Sequence, residues 1–245
     1  MRMRGKTAII TGAATGLKGE IRGIGGATAW AFVREGATVY LADINDELGE
    51  RTTAQIRETG GAAHYVHLDV TDEALWQNTI DFIVKAEGAL DVLVNNAGTG
   101  RDYDGDYSDP DGPQNAEEAL KVEFTTVEGL DRQLGVHVRG AMLGMKYAIP
   151  EMRKRGGGSI INVSSIHGIV GVDTITSYST AKAGMRPPLC APPPDGSPCP
   201  RPPRRAHACS LMGFPPFPCT SNPKPVDASE PPERRALGYG STSRS

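Results

Sequence analysis

The first three-quarters of this 245-residue sequence has no cysteine and very little proline. All four cysteines and sixteen of the nineteen prolines come after residue 186. The cysteines are nine or ten residues apart and form no C-x-x-C pair, which argues against a zinc site and, in a reducing compartment, against disulfides. One globular domain does not usually sort its residues this sharply. The sequence therefore predicts a domain over residues 1–186 and an irregular, Pro-rich tail over residues 187–245.

The sequence also lacks an excess of charge of either sign and any long apolar run. Its net charge is −3 and its pI is about 6.0, so nothing in the composition indicates a nucleic-acid or anionic-membrane partner. The N-terminal residues lead straight into a strand pattern without the apolar region of a signal peptide. No run of eighteen apolar residues occurs. We therefore expect a cytoplasmic protein without a membrane segment.

What the N-terminal part does contain is a glycine-rich turn between a strand and a helix. The apolar run Lys6–Thr11 is typical of a buried parallel strand, and Gly12, Gly16 and Gly25 follow it before an apolar helical pattern that begins at Ala27. Strand, glycine turn and helix together direct backbone N–H groups at a pyrophosphate. Glycine is needed because a Cβ atom would block the turn or the approach of the phosphates.

An acidic residue ends the second predicted strand. Asp43 directly follows the apolar residues 39–42, where a carboxylate can bind the two ribose hydroxyls of NAD and would repel the extra phosphate of NADP. Asp43 lies 31 residues after Gly12, although about 20 are expected. Deleting seven residues, 17–23 or equivalently 16–22, leaves the uninterrupted text TGAATGIGGATA. We interpret residues 17–23 as an insertion into the phosphate loop.

Strand and helix patterns continue to alternate along the chain, which predicts a doubly wound parallel α/β sheet. The helix that begins near Asp72 is expected to turn Phe82 inward, and Pro150 is expected to bend or end the last turn of a long helix. The remaining predicted elements are helices over 46–58 and 127–153, a helix that starts within 71–73, and strands over 63–68, 91–94 and 159–163.

Residues 101–123 interrupt this alternation with an acidic segment. Five aspartates fall within residues 101–112. An EF-hand calcium loop needs a glycine at its sixth position and a glutamate at its twelfth, but counting from Asp102 those positions hold Tyr107 and Pro113. The pattern favours a solvated acidic insertion over a metal site.

A tyrosine and a lysine four residues apart form the candidate catalytic pair. If Tyr178 and Lys182 lie on a helix, they share one face, and the ammonium would lower the tyrosine pKa from about 10. Such a phenol can exchange a proton near neutral pH. Ser165, thirteen residues before the tyrosine, would add a hydroxyl that holds the reacting oxygen, although Ser164 competes for this role.

Taken together, the glycine turn, Asn95-Asn96-Ala97-Gly98 and the Ser…Tyr-x-x-x-Lys pattern resemble the short-chain dehydrogenases/reductases over about residues 5–186. The resemblance implies a Rossmann-like sheet of seven strands, an NAD(P)-dependent exchange of hydride with a small alcohol or ketone, and a homo-oligomer. NAD is expected over NADP because of Asp43. The implied cofactor-binding residues are Thr11, Gly12, Gly16, Ile24, Gly25, Asp43, Asp69, Val70, Asn96, Ala97, Gly98, Tyr178 and Lys182.

The resemblance also implies roles for the catalytic residues. Tyr178 would be the acid–base residue, Lys182 would lower its pKa and hold the nicotinamide ribose, and Ser165 would steady the substrate oxygen. His137 stands where the family usually has a proton-relay asparagine, and it could hold a water, pass protons or be only a tolerated polar residue. Asp43 could instead be only a strand-end cap and Asp69 only a turn residue.

The family pattern stops after Met185, so the sequence predicts a C-terminally truncated sheet that lacks two strands and much of the substrate wall. The tail has the composition of GC-rich codons read in a shifted frame. Alternatively, it is a genuine arm in which residues 192–203 form polyproline II and dock a partner. Two functional hypotheses follow: an oxidoreductase whose activity the truncation threatens, or a non-catalytic nucleotide-binding or scaffolding protein with a Pro-rich arm.

Overall fold

The structure is a computed structural model that describes residues 1–17, 19, 23–99, 115, 118–171 and 174–185. In this part of the chain, strands alternate with helices. The strands are β1 (Thr7–Thr11), β2 (Thr38–Asp43), β3 (Ala63–His67), β4 (Val92–Asn95) and β5 (Ser159–Asn162). The α-helices are α1 (Ile24–Arg34), α2 (Asp46–Glu58), α3 (Glu73–Glu87), α4 (Val127–Gln133), α5 (Gly140–Lys154) and α6 (Thr176–Gly184), and three short 3₁₀ helices cover Glu118–Leu120, Val122–Phe124 and Ile166–Gly168.

The five described strands form one parallel sheet in the order β3-β2-β1-β4-β5. The chain moves outward from β1 to β3, returns to the other side of β1 with β4, and continues outward to β5. The order therefore reverses between β1 and β4, and in such sheets a ligand crevice forms outside the carboxyl ends of these two strands. This topology confirms the predicted Rossmann-like, doubly wound sheet.

Two apolar layers cover the two faces of the sheet, because alternate strand residues point to opposite faces. Ile9 belongs to the layer that includes Trp76 of α3, whereas the next residue, Ile10, belongs to the layer that includes Ile56 of α2. Phe82 was predicted to point inward but is 56% exposed. It lies two residues past Ile80, on the outer side of α3, and its ring meets the edge of Tyr40 at 6.2 Å between centroids.

The long helix predicted over residues 127–153 is one helical path with a change of winding in its middle. Between α4 and α5, residues Leu134–Arg139 form a π-helix, and His137 lies inside it. Pro150 does not end the helix, which continues to Lys154. Proline removes only one N–H donor near a helix end, so the last turn survives.

Several predicted features lie outside the described residues. They are most of the acidic segment 101–123, residues 18 and 20–22 of the phosphate-loop insertion, and the tail 187–245. The division into a domain and a tail, and the loss of two strands, stay predictions. No helix among the described residues is long and apolar enough to cross a membrane.

Candidate active site

A cleft of about 680 Å³ opens at the carboxyl edge of the sheet, where the strand order reverses. It brings together residues from the glycine turn, from the ends of β2, β3, β4 and β5, from the π-helix and from α6. The lining residues are Gly12, Thr15, Gly23, Ile24, Asp43, Ile44, Leu68, Asp69, Val70, Asn96, Ala97, Gly98, Thr99, Val136, His137, Val163, Ser164, Ile175, Tyr178 and Lys182.

The glycine turn is packed too tightly for side chains. Gly12 has φ +64°, and a Cβ there would lie 2.8 Å from the Cα of Ala97. A Cβ on Gly25 would overlap the carbonyl oxygen of Gly12 and approach Asn96 Nδ2 to 2.5 Å. Thr11 supports the same junction from behind, because its Oγ1 accepts hydrogen bonds from the N–H groups of Asn96 (3.0 Å) and Ala97 (2.9 Å).

The amide of Asn96 joins the turn to the end of β4. Its Nδ2 donates to the carbonyl oxygens of Thr11 (2.9 Å) and Gly12 (3.0 Å). The neighbouring Asn95 donates from Nδ2 to Asn162 Oδ1 (2.8 Å) and so bridges β4 and β5. The two asparagines thus hold the ends of neighbouring central strands together, and Asn96 also lines the cleft.

The two ends of the predicted insertion meet at the base of the phosphate turn. The N–H of Gly23 donates to the carbonyl oxygen of Thr15 (2.9 Å), and a Cβ on Gly26 would lie 2.5 Å from the Cα of Gly16. Trp30 of α1 also donates from Nε1 to the carbonyl oxygen of Gly16 (2.7 Å). The turn therefore closes at Gly16 and Gly26 across the seven extra residues.

Asp43 connects the phosphate turn to the end of β2. Its Oδ2 accepts a hydrogen bond from the N–H of Ala14 (2.9 Å), and its Oδ1 accepts one from the N–H of Asn45 (3.1 Å). A carboxylate has about four acceptor sites, so two remain for a ligand. The residue is thus a strand-end cap that also lines the cleft.

Asp69 and Val70 follow β3 on the same wall of the cleft. One oxygen of Asp69, Oδ1, accepts hydrogen bonds from both the N–H and the hydroxyl of Thr71, each at 2.8 Å. This is the turn role that the sequence left open. Because the carboxylate has a second oxygen, the turn role does not prevent Asp69 from also accepting a ligand donor.

Tyr178 and Lys182 both lie on α6, as predicted, and both line the cleft. Nζ of Lys182 is 5.7 Å from the centroid of the Tyr178 ring and donates to the carbonyl oxygen of Val163 (3.0 Å). Lys182 is only 5% exposed, and this burial lowers the pKa of its ammonium group from 10.5 to about 8. The structure therefore places a partly desolvated cation beside the phenol.

The two serines after β5 have different environments. Ser164 lines the cleft and donates from Oγ to the carbonyl oxygen of Lys182 (2.7 Å). The predicted catalytic residue, Ser165, accepts a hydrogen bond from the N–H of His167 (3.2 Å) and so caps the 3₁₀ helix Ile166–Gly168. Of the described lining residues, Ser164 and not Ser165 belongs to the cleft wall. The role of Ser165 stays a prediction.

His137 is almost completely buried between the cleft and the π-helix. Its ring meets the Tyr178 ring edge-on, with 5.5 Å between centroids. Its Nε2 lies 3.0 Å from the carbonyl oxygen of Thr99, next to Gly98, where a Cβ would lie 2.5 Å from the imidazole Cε1. These contacts place the imidazole between the cleft and the Thr99 backbone, and its role in proton transfer stays a prediction.

Sequence reasoning missed several cleft residues. Thr99, Val163 and Leu68 follow strand ends, so the rule that parallel strands meet at their carboxyl ends could have found them. Ile175 is different. It has φ +56°, which is unusual for a β-branched residue, and it stands directly before α6. No signal in the sequence marks this conformation.

Comparison with known proteins connects this geometry to a family. The short chain dehydrogenase family model matches residues 6–187. A cyclopentanol dehydrogenase of Comamonas sp. (strain NCIMB 9872) is 40% identical over 186 residues, which are 76% of this chain and 64% of the relative. A 2,5-dichloro-2,5-cyclohexadiene-1,4-diol dehydrogenase of Sphingobium indicum (strain DSM 16412 / CCM 7286 / MTCC 6364 / B90A) is 39% identical over 185 residues, again 76% of this chain and 64% of the relative.

A solved structure shows the same arrangement. The crystal structure of an NAD⁺-bound xylitol dehydrogenase superposes with a TM-score of 0.64 at 29% identity, covering 76% of this chain and 62% of that chain. The chain thus spans somewhat less than two-thirds of the length of these relatives. On the family match and the shared sheet, the chain belongs to the short-chain dehydrogenases, a family of oxidoreductases.

Proposed function

We propose that the chain carries the nicotinamide-binding and proton-transfer site of an NAD-dependent oxidoreductase that acts on a small secondary alcohol or its ketone. One observation carries the proposal: a single cleft is lined at once by Gly12, Asp43 and the pair Tyr178 and Lys182. A dinucleotide needs a phosphate turn and a ribose acceptor, and alcohol oxidation needs a proton acceptor. The cleft contains all three.

The residues fit a dinucleotide. Close backbone packing at Gly12 and Gly25 requires glycine in the turn, and Gly12, Gly23 and Ile24 at the start of α1 line the cleft, where a helix N-terminus suits a phosphate. Asp43 retains acceptor capacity for the adenosine ribose hydroxyls, and its negative charge would repel a 2′-phosphate, which favours NAD over NADP. When bound, NAD would supply the hydride-accepting nicotinamide ring.

Tyr178 is the proton acceptor in the oxidative direction. The Lys182 ammonium lies 5.7 Å from the ring centroid, and burial reduces the screening of its charge by water. His137 meets the phenol ring edge-on, with 5.5 Å between the ring centroids. It holds the Thr99 backbone in place and provides a titratable group through which the proton can leave.

Ser165 or Ser164 holds the substrate oxygen. The thirteen-residue spacing to Tyr178 favours Ser165, whereas the position in the cleft wall favours Ser164. The relatives that act on cyclopentanol and on a cyclic diol suggest a cyclic secondary alcohol as substrate. Apolar side chains in the same wall, Val136 and Ile175, suit such a ring.

The test follows NADH formation from NAD with cyclopentanol, cyclohexanol and xylitol as candidate substrates. We expect turnover that falls by at least about a thousandfold in Tyr178→Phe, since the acid–base group is lost while the ring remains. Tyr147→Phe is the control, because this half-buried tyrosine on α5 is not one of the described cleft residues and its hydroxyl donates to Glu73. Equal turnover in wild type and Tyr178→Phe would refute the proposal.

The second hypothesis is a non-catalytic nucleotide-binding or scaffolding protein with a Pro-rich arm. It predicts a different result in the same experiment. NADH would bind and its fluorescence would increase, but no substrate in the panel would be oxidised. Binding titrations and turnover assays on the same preparation therefore separate the two hypotheses.

A further inference from the structure

A tyrosine behind the adenosine end of the cleft bonds to the residue that selects the coenzyme. Tyr65 lies on β3, and its hydroxyl is 2.7 Å from the backbone carbonyl oxygen of Asp43 and 2.6 Å from Asp46 Oδ1. We propose that Tyr65 is a positioning residue that holds Asp43 where its carboxylate binds the adenosine ribose and excludes the 2′-phosphate of NADP. The inference rests on the proposed nicotinamide-dependent function.

The hydrogen bonds of Asp43 show what Tyr65 adds. The carboxylate is held by the N–H groups of Ala14 and Asn45, both of which belong to loops. The backbone carbonyl oxygen is held from β3, by the Tyr65 hydroxyl and by the N–H of Leu68 (2.9 Å). Because β2 ends at Asp43, the regular strand ladder does not continue beyond it. Tyr65 therefore adds a side-chain contact from β3 to this residue, beside the register pairing of Asp43 with His67.

A glycine in α2 makes room for the Tyr65 ring. A Cβ on Gly49 would overlap the ring, so the phenol lies directly against the helix backbone at that residue. This contact leaves the hydroxyl at the first turn of α2, next to Asp46. Asp46 Oδ1 also lies 2.6 Å from Nδ1 of His67, which is paired in register with Asp43.

The protonation state of Tyr65 suits this role. Burial and the hydrogen-bonded Asp46 carboxylate raise the pKa of Tyr65, so its hydroxyl keeps its single proton at neutral pH and shares it between Asp46 Oδ1 and the carbonyl oxygen of Asp43. A carboxylate that accepts the ribose hydroxyls must be placed to within a fraction of an ångström, because such hydrogen bonds weaken steeply with geometry. Loss of an anchor should therefore weaken NAD binding and relax the rejection of NADP.

The test compares Tyr65→Phe with Tyr40→Phe in NADH and NADPH binding, measured by fluorescence titration. Tyr40 is a matched control: it lies on the neighbouring strand β2, donates to a carboxylate oxygen of Glu87 (2.9 Å), and is not one of the described cleft residues. In Tyr65→Phe we expect the NADH dissociation constant to rise about 3- to 10-fold, which corresponds to one lost hydrogen bond. The NADH preference over NADPH should fall by at least about threefold.

In Tyr40→Phe the dissociation constants for NADH and NADPH should both stay within about twofold of the wild-type values. Unchanged preference in Tyr65→Phe, with a stability loss equal to that of Tyr40→Phe, would show a structural role only and overturn the proposal. Should Tyr65→Phe fail to fold, Gly49→Ala displaces the ring while alanine suits the helix, and it must reduce the same preference. A wild-type protein that binds no NADH would instead overturn the proposed function, so the two failures are distinguishable.

Discussion

Replacing Lys182 by methionine should stabilise the folded protein while abolishing its chemistry. The ammonium is 5% exposed, and burial lowers its pKa from 10.5 to about 8. Since one pKa unit corresponds to about 1.4 kcal/mol, burying the charge costs about 3 kcal/mol at pH 7. The variant also loses the hydrogen bond to the Val163 carbonyl oxygen, at a cost of about 1 kcal/mol. The net expectation is a gain of about 2 kcal/mol at pH 7.

The direction of the Lys182 pKa shift determines how the stability difference between wild type and Lys182→Met changes with pH. The folded-state pKa lies below the unfolded value, so between about pH 8 and 10.5 the unfolded chain binds more protons than the folded chain. The stability of the wild type therefore rises with pH through this window, as the buried ammonium loses its proton. Lys182→Met lacks the titrating ammonium, so its stability gain over wild type of about 2 kcal/mol at pH 7 should shrink to about zero near pH 10.

Urea unfolding, followed by the fluorescence of the chain's two tryptophans, Trp30 and Trp76, measures the difference at each pH. Lys85→Met is the control, since Lys85 is exposed near the end of α3 and its loss should change the free energy of unfolding by less than about 0.5 kcal/mol at any pH. A Lys182→Met protein that is less stable than wild type at pH 7, or a difference that does not change with pH, would refute the reasoning.

Three further predictions concern the cleft. Gly25→Ala should weaken NADH binding by at least about tenfold in fluorescence titration, because its Cβ would overlap backbone that cannot move aside. The control Gly5→Ala, at a φ of +70° with open space around it, should leave NADH binding unchanged. Deletion of residues 17–23 should keep the NADH dissociation constant within about threefold, since the turn already closes across them, and loss of binding would make the insertion part of the site. His137→Leu should lower kcat by about tenfold or more, whereas His137→Asn, which can still hydrogen-bond to the Thr99 backbone, should retain most of the wild-type kcat. Equal losses of kcat in the two variants would contradict a hydrogen-bonding role.

The parts of the site that the sequence predicts well are those fixed by sheet topology. Asp43, Asp69 and Asn96 directly follow strands or lie within two residues of a strand end, and parallel strands bring these ends to one edge. Helix α2 also begins and ends where its pattern indicated, because Asn45 caps it and its acidic first turn suits the helix dipole. Topology and local propensity agree at these positions, so sequence is sufficient.

The parts that could not be predicted depend on local backbone geometry. Whether Ser164 or Ser165 reaches the cleft is decided by one alternation of side chains after β5, and the sequence contains a serine at both positions. The π-helix at Leu134–Arg139 leaves no composition signal, although it contains the buried His137. Ile175 has a positive φ directly before α6, and nothing in its residue type indicates this conformation.

Contacts among the described residues hold helix α6 against the end of β5 and the π-helix. Helix α6 is tied to the end of β5 by Lys182 Nζ on the Val163 carbonyl oxygen and by Ser164 Oγ on the Lys182 carbonyl oxygen. A Cβ on Gly184 would lie 2.8 Å from Val138, which shows close packing against the π-helix. Each of these contacts forms within residues 1–185. The candidate catalytic pair is therefore positioned by the same part of the chain that lines the cleft, and we expect nicotinamide binding to depend on that part.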